Sequence, residues 1–237
     1  MEQSFISVVI PALNEEKYLP RCLESLRNQD YPVDKFEIIV ADNASTDRTA
    51  EIAHNFGARV TTVHEKGVAL VRQDGFASSK GEILAGTDAD TSLPQGWLAK
   101  INEVFQRRSD LVAITGGAKF DSASLLNRAL AEYLFPITMR AMFAFGKKAL
   151  NGFSFAVRAK AFEQVGGFNK NLVSAEDVDL GIRLAKVGKV EFIPGISVLT
   201  SSRRIDAGRI KFFTHHLSNV VNFMILGRRP KSFENIR

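Results

Sequence analysis

The chain has 237 residues, 45% hydrophobic and 24% charged, a balance that supports one folded α/β domain and argues against a disordered chain. Its single cysteine, Cys22, excludes an internal disulfide and a thiolate zinc cluster, and suits a reducing, cytoplasmic compartment. The opening MEQSFISVVIPALNEE lacks a basic leader pattern, no run approaches the roughly 18–20 apolar residues of a spanning helix, and the net charge of +5 gathers after Ser201, where eight Lys/Arg face two Asp/Glu.

Residues 5–10 (FISVVI) form a short β-branched run of the kind buried on both faces of a parallel sheet, ended by Pro11. Asn14 can cap a helix whose apolar face is Tyr18, Leu19, Cys22, Leu23 and Leu26. A strand at 36–41, a helix from Thr46 or Asp47 to Phe56 and a strand at 59–63 follow. Next come a helix at 67–79, a strand at 82–86, a helix at 94–107 and a strand at 111–115. This alternation predicts a mainly parallel, Rossmann-like sheet flanked by helices. Residues 124–148 are apolar, helical in pattern and interrupted by Pro136. Beyond them lie a strand at 151–157, helices at 159–165 and 175–187 and a strand at 190–193. An amphipathic stretch at 210–226 completes the chain. The spacing predicts one domain over 1–205, with 124–148 inserted, and a basic helical extension over 206–237.

In such a sheet ligands bind beyond the carboxyl ends of the strands. Three acidic loops leave such ends: Asp42, Asp88-Ala89-Asp90, and Glu176-Asp177 at a helix start, where Ser174 can serve as cap. Two carboxylates one residue apart on a turn can hold a hard cation, Mg²⁺ or Mn²⁺, against a diphosphate. A solvated acidic turn is the plain competing explanation, and the position straight after a buried strand argues against it. Glu176 and Asp177 could simply complement a helix N-terminus, or Asp177 could be a general base. Arg203 and Arg204 read as a diphosphate clamp, an anchor on anionic lipid, or a solvated basic end. His215 and His216 point to different helix faces and make a poor metal pair; His54 and His64 carry no spacing that suggests a role.

With these residues in hand, about residues 4–205 resemble an inverting, family 2-type glycosyltransferase of the GT-A fold. The resemblance is carried in order by SVVIPALNEEKYLPRCLESL, EIIVADNASTDRTAEIA, GVALVRQDGFASSKGEILAGTDADT, NGFSFAVRAKAFEQVGGF and SAEDVDLGIRLAKVGKVEFIP. It implies that Pro11, Leu13 and Glu15 line the base and ribose pocket and that Asp42 meets the nucleobase, usually uracil. It places Arg72 near the diphosphate or sugar, and Asp88 by ribose and metal with Ala89 between it and the ligand Asp90. It makes Asp177 the base with Glu176 beside it, and the reaction one displacement with inversion. Many relatives carry a His after the last core strand; here SVLTSSRR places Ser201 and Ser202 there. That leaves the third metal ligand open, with the diphosphate and water as candidates.

The apolar stretches 124–148 and 210–226, flanked by Lys and Arg, suit the surface of an anionic membrane, which would fit a lipid-linked acceptor; packing on the core or a homodimer interface is the other reading. The turn Pro11-Ala12-Leu13-Asn14 lacks the glycines of a dinucleotide fold or of a sugar-phosphate nucleotidyltransferase. No nucleic-acid motif accompanies the basic tail. The remaining rival is a relative that binds a nucleotide sugar, a membrane or a partner without turnover.

Overall fold

The computed structural model describes residues 2–121, 137, 139–140 and 142–203. Its strands are β1 (Ile6–Ala12), β2 (Phe36–Asp42), β3 (Arg59–Thr62), β4 (Ile83–Gly86), β5 (Thr91–Ser92), β6 (Leu111–Thr115), β7 (Ala118–Phe120), β8 (Phe155–Arg158), β9 (Lys189–Phe192) and β10 (Val198–Thr200). Its helices are α1 (Leu19–Arg27), α2 (Thr49–Asn55), α3 (Val68–Ala77), α4 (Trp97–Arg107), α5 (Ala159–Gln164) and α6 (Glu176–Leu184). The main sheet has seven strands in the order β3-β2-β1-β4-β8-β6-β9, and a second has the order β5-β10-β7. Among the described strands of the main sheet only β8 runs against its neighbours, its Phe155 pairing with Gly86 of β4 and with Thr115 of β6.

Both faces of the main sheet are covered, which is why β1 and β4 read as unbroken apolar runs. On one face Ile6, Val8 and Ile10 meet Leu19, Cys22, Leu23 and Leu26 of α1, Ala53 of α2, and Trp97, Leu98, Ile101 and Phe105 of α4. On the other, Val9, Ile39 and Ala41 meet Val71 and Phe76 of α3, Phe162 of α5, and Leu180 and Leu184 of α6. Each of the Val, Leu, Ile and Phe side chains among them contributes on the order of 1.5–3 kcal/mol through its burial. The abundant phenylalanine has a place here: Phe76 stacks on Phe155 at 5.6 Å and meets Phe168 edge-on at 5.1 Å. Trp97 is fully buried and donates its indole N–H to Ser154 Oγ at 3.1 Å.

Four local expectations need correction. Pro11 does not end β1; it pairs with Ala41 of β2, past the point where β4 pairing stops at Val9, so its missing N–H costs no bond on that side. Asn14 does not cap α1. It adopts φ 54°, accepts from the Thr46 N–H at 2.8 Å, and leaves a turn in which Glu15 O takes the Tyr18 and Leu19 N–H groups before the helix starts. Ser174 does not cap α6 either; the cap position is Ala175, left-handed at φ 57°. The strand expected from Asn151 begins only at Phe155, because Asn151–Ser154 form a turn closed by Ser154 N–H to Asn151 O. Residues 122–136, 138 and 141, which hold most of the apolar stretch expected at 124–148, and all of 204–237, including Arg204, His215, His216 and the stretch expected at 210–226, lie outside the described residues.

Candidate active site

The carboxyl ends of β1 and β4 carry Glu15 and the Asp88–Asp90 turn, the first turn of α6 brings Glu176 and Asp177 against the turn before β8, and two arginines organise these acids. Arg72 comes from α3, whose other side chains Val71 and Phe76 are core, so the guanidinium is carried inward with only 3% of the residue exposed. Its Nε donates to Glu176 Oε1 at 3.1 Å, and its Nη2 donates to Asp88 Oδ1 at 2.6 Å and to Gly152 O at 3.2 Å. Burial works against this charge, yet Asp88, Glu176 and Asp177 outweigh it and hold the guanidinium above its ordinary pKa. Among the described residues, the buried Nη1 of Arg72 has no hydrogen-bond partner in the protein.

Asp177 lies against the same turn. The Gly152 N–H donates to its Oδ2 at 2.6 Å and the Val178 N–H to its Oδ1 at 2.8 Å. Burial first, and the neighbouring Glu176 second, push its pKa up to about 7, against the pull of Arg72 and of those two N–H donors. Gly152 is required by close approach: a Cβ there would sit 2.6 Å from Arg72 Nη2 and 3.2 Å from Asp177 Oδ2. Arg183 holds the helix that carries the acids, pairing with Asp179 and donating to the carbonyls of Val165 and Gly167.

The second arginine, Arg203, follows β10. Its Nη1 and Nη2 donate to both Glu15 carboxylate oxygens at 3.0 and 2.7 Å, and Nη2 lies 3.0 Å from Asp90 Oδ2. The guanidinium covers the Tyr18 ring at 4.7 Å. The turn between Asp88 and Asp90 is pinned by Thr91 N–H to Asp88 O and by Ser201 N–H to Asp90 O, with Ala89 buried beneath it. Cys22 also lies under this turn, its Sγ 3.6 Å from Asp88 O. Burial first, then the nearby charges of Asp90 and Asp88, push that thiol far up, so it is inert.

Asp42 stands at the end of β2, opposite Ala12, with its carboxylate taken by Ser45 Oγ and Ser45 N–H. Pro11 and Leu13 are half-buried and flank Ala12, the residue of β1 that pairs with Asp42. The described contacts therefore join Arg72, Asp88, Glu176 and Asp177 in one cluster and Glu15, Asp90 and Arg203 in another, linked by the Asp88–Asp90 turn. Asp42 belongs to neither. Sequence reasoning missed Gly152, Tyr18 and Ser45. Gly152 was within reach, because an Asn-Gly step opens the segment before β8. Tyr18 reads as part of a helical apolar face and instead lies beneath Arg203.

Asp88 and Asp90 present oxygen ligands of the kind a hard divalent cation takes. Each is held by a guanidinium, and among the described residues no three His, Cys, Asp or Glu side chains converge to bind a metal. The pair fits a cation shared with a diphosphate and water rather than one held in a closed protein cage.

A family model, "Glycosyl transferase family 2", matches residues 7–166. The chain belongs to glycosyltransferase family 2. Within the family, glycosyltransferase AglE of Haloferax volcanii is 32% identical over 195 residues, covering 78% of this chain and 62% of the relative. The dolichyl N-acetyl-alpha-D-glucosaminyl phosphate 3-beta-D-2,3-diacetamido-2,3-dideoxy-beta-D-glucuronosyltransferase of Methanococcus voltae is 26% identical over 203 residues, covering 78% and 63%. The chain thus spans about three-fifths of the length of both relatives. The mannosyltransferase PcManGT from Pyrobaculum calidifontis, solved with GDP-Man and Mn²⁺, superposes with a TM-score of 0.71 at 21% identity, over 98% of this chain and 67% of that one. The mainly parallel sheet flanked by helices is of the GT-A kind, as the sequence resemblance implies. Among the described residues no helix is long and apolar enough to cross a membrane.

Proposed function

We propose that this protein is an inverting glycosyltransferase that moves a sugar from a nucleotide-diphosphate donor to an acceptor hydroxyl. The observation that carries the reading is Asp177: a carboxylate raised toward neutral pH, held by the Gly152 N–H, beside the Arg72–Asp88 pair. A base is most effective when its pKa lies near the working pH, and such a group contributes on the order of 10²–10⁴-fold. Asp177 takes the proton of the acceptor hydroxyl as that oxygen attacks the anomeric carbon. The bond from that carbon to the diphosphate oxygen breaks on the opposite face, so configuration inverts and a nucleoside diphosphate leaves. Arg72 offers an unused N–H beside Asp88 to the charge that grows on the leaving group. A divalent cation, Mn²⁺ or Mg²⁺, on Asp90 and Asp88 would supply Lewis-acid stabilisation of that same charge.

A UDP-sugar is the foremost donor on sequence resemblance; the GDP-Man held by PcManGT makes GDP the first competitor. A lipid-linked acceptor suits the dolichyl substrate named for the M. voltae relative, and peripheral membrane attachment suits Phe145, 82% exposed beside Lys147 and Lys148. Thermal shift against UDP, GDP, CDP, ADP and dTDP, each with and without Mn²⁺, tests the donor site. One diphosphate at a hundredfold excess over Kd should stabilise the fold by about 2.7 kcal/mol, only with metal and not in Asp90→Ala. A flat response to every nucleotide with Mn²⁺ present would remove the reading.

A further inference from the structure

Arg203 uses one monovalent cation to neutralise two carboxylates from different parts of the fold. It grips Glu15, on the turn after β1, through two hydrogen bonds, and also holds Asp90, on the turn after β4. All three side chains are largely withdrawn from water, at 24% exposure for Arg203, 10% for Glu15 and 12% for Asp90. The pairing is therefore less screened than a surface salt bridge. Stacking over Tyr18 fixes the plane of the fork, so the geometry is built rather than incidental.

A small divalent cation such as Mg²⁺ would bind a carboxylate oxygen at roughly 2.0–2.1 Å. Asp90 Oδ2 is engaged by a guanidinium nitrogen at 3.0 Å, and two cations cannot crowd one oxygen without strong repulsion. Resting on the donor-site reading above, we propose that Arg203 is a latch: it occupies Asp90 in the donor-free protein, and a divalent cation binds Asp90 only when Arg203 lets go. Release also unties the exit of β10 from Glu15 and Tyr18, so cation binding and the position of Arg203 are two sides of one equilibrium. The apparent metal affinity of the resting protein is lowered by the fraction of molecules in which the latch is closed.

The test is Mn²⁺ alone, counted as free ion by electron paramagnetic resonance, on the full chain. Arg203→Gln should bind Mn²⁺ about tenfold or more tightly than the parent, as follows if nine molecules in ten are latched. Adding Asp90→Ala should abolish that gain. Tyr18→Leu separates a latch from a plain charge effect. It leaves every charge in place and removes the ring under the guanidinium, so a latch predicts tighter Mn²⁺ binding and a charge effect predicts no change. Tyr18→Leu also decides the matter if Arg203→Gln fails to fold. Unchanged or weaker Mn²⁺ binding in folded Arg203→Gln, or in Tyr18→Leu, overturns the latch. Those outcomes leave the donor site standing, because its own test is the nucleotide-dependent thermal shift.

Discussion

Replacing Arg72 by Met keeps the length of the side chain and removes its charge. The parent guanidinium is 3% exposed and pairs with Asp88 and with Glu176, itself 6% exposed. Breaking a buried pair by deleting one partner costs about 3–5 kcal/mol, chiefly because the other charge is stranded. At about 2–4 °C per kcal/mol for a domain of this size, Arg72→Met should melt about 6–20 °C below the parent at pH 8. The loss should depend on pH. In the parent, Asp177 has its pKa raised to about 7, so between about pH 4 and pH 7 the native state holds a proton that the unfolded chain releases. The contribution of this group to stability therefore falls as pH rises through that window. Arg72 is one of the groups pulling the value down, so its removal raises it further and deepens the loss toward pH 8. At pH 5.5 the gap to the parent should narrow. Adding Glu176→Gln to Arg72→Met removes the stranded carboxylate and should recover part of the loss. Calorimetry at the two pH values reads all of this. A loss under about 1 kcal/mol, or an equal loss at both pH values, would refute the claim that Arg72 is the counter-ion of a buried acidic cluster.

Two further outcomes follow from the same geometry. Asp177→Asn should lower turnover by roughly 10²–10⁴-fold, and its melting point relative to the parent should be more favourable at pH 8 than at pH 5.5; a pH-independent offset would show that Asp177 titrates normally. Gly86→Ala should cost about 1–3 kcal/mol by overpacking, since a Cβ at Gly86 would lie 2.2 Å from Phe155 Cε1; a melting point matching the parent would mean that the β4–β8 contact is looser than described.

Legibility in the sequence followed the length of each signal. The βα alternation through β6 was readable because β1, β2 and β6 are five to seven residues long, mostly apolar and bounded by turn formers. The strands β5, β7 and β10 have two or three residues each and carry no period. Yet they bring Ser201 and Arg203 to Asp90. The acidic pairs were visible by composition, but their partners were not. Arg72 lies on a helix whose spacing says only that it is near a face. The Glu15–Arg203 pair spans 188 positions, a separation no local pattern encodes. Among the described residues three non-glycine residues with positive φ, Asn14, Ala44 and Ala175, occupy the loops after β1 and β2 and the start of α6. Ala44 and Ala175 give no hint of it, because alanine disfavours that conformation and adopts it only where the surroundings compel it.

The charge count at the edge of the sheet explains why a cation and a diphosphate belong together in this reading. Glu15, Asp88, Asp90, Glu176 and Asp177 are five carboxyl groups gathered at this edge, with the guanidiniums of Arg72 and Arg203 set among them. Stability does not account for such a group, because apolar replacements of a buried ion network are often as stable or more so. A diphosphate approaching Asp88, Asp90 and Glu176 alone would be repelled by these carboxylates, whatever Arg72 offers it. A divalent cation approaching alone meets Arg203 on Asp90. Together they cancel: the cation offsets the carboxylates, the diphosphate completes its coordination, and Arg203, once released, is a cation freed beside an anion. The electrostatics therefore predict strong interdependence, with nucleotide affinity low without metal and metal affinity low without nucleotide, and with each raising the other by the same factor.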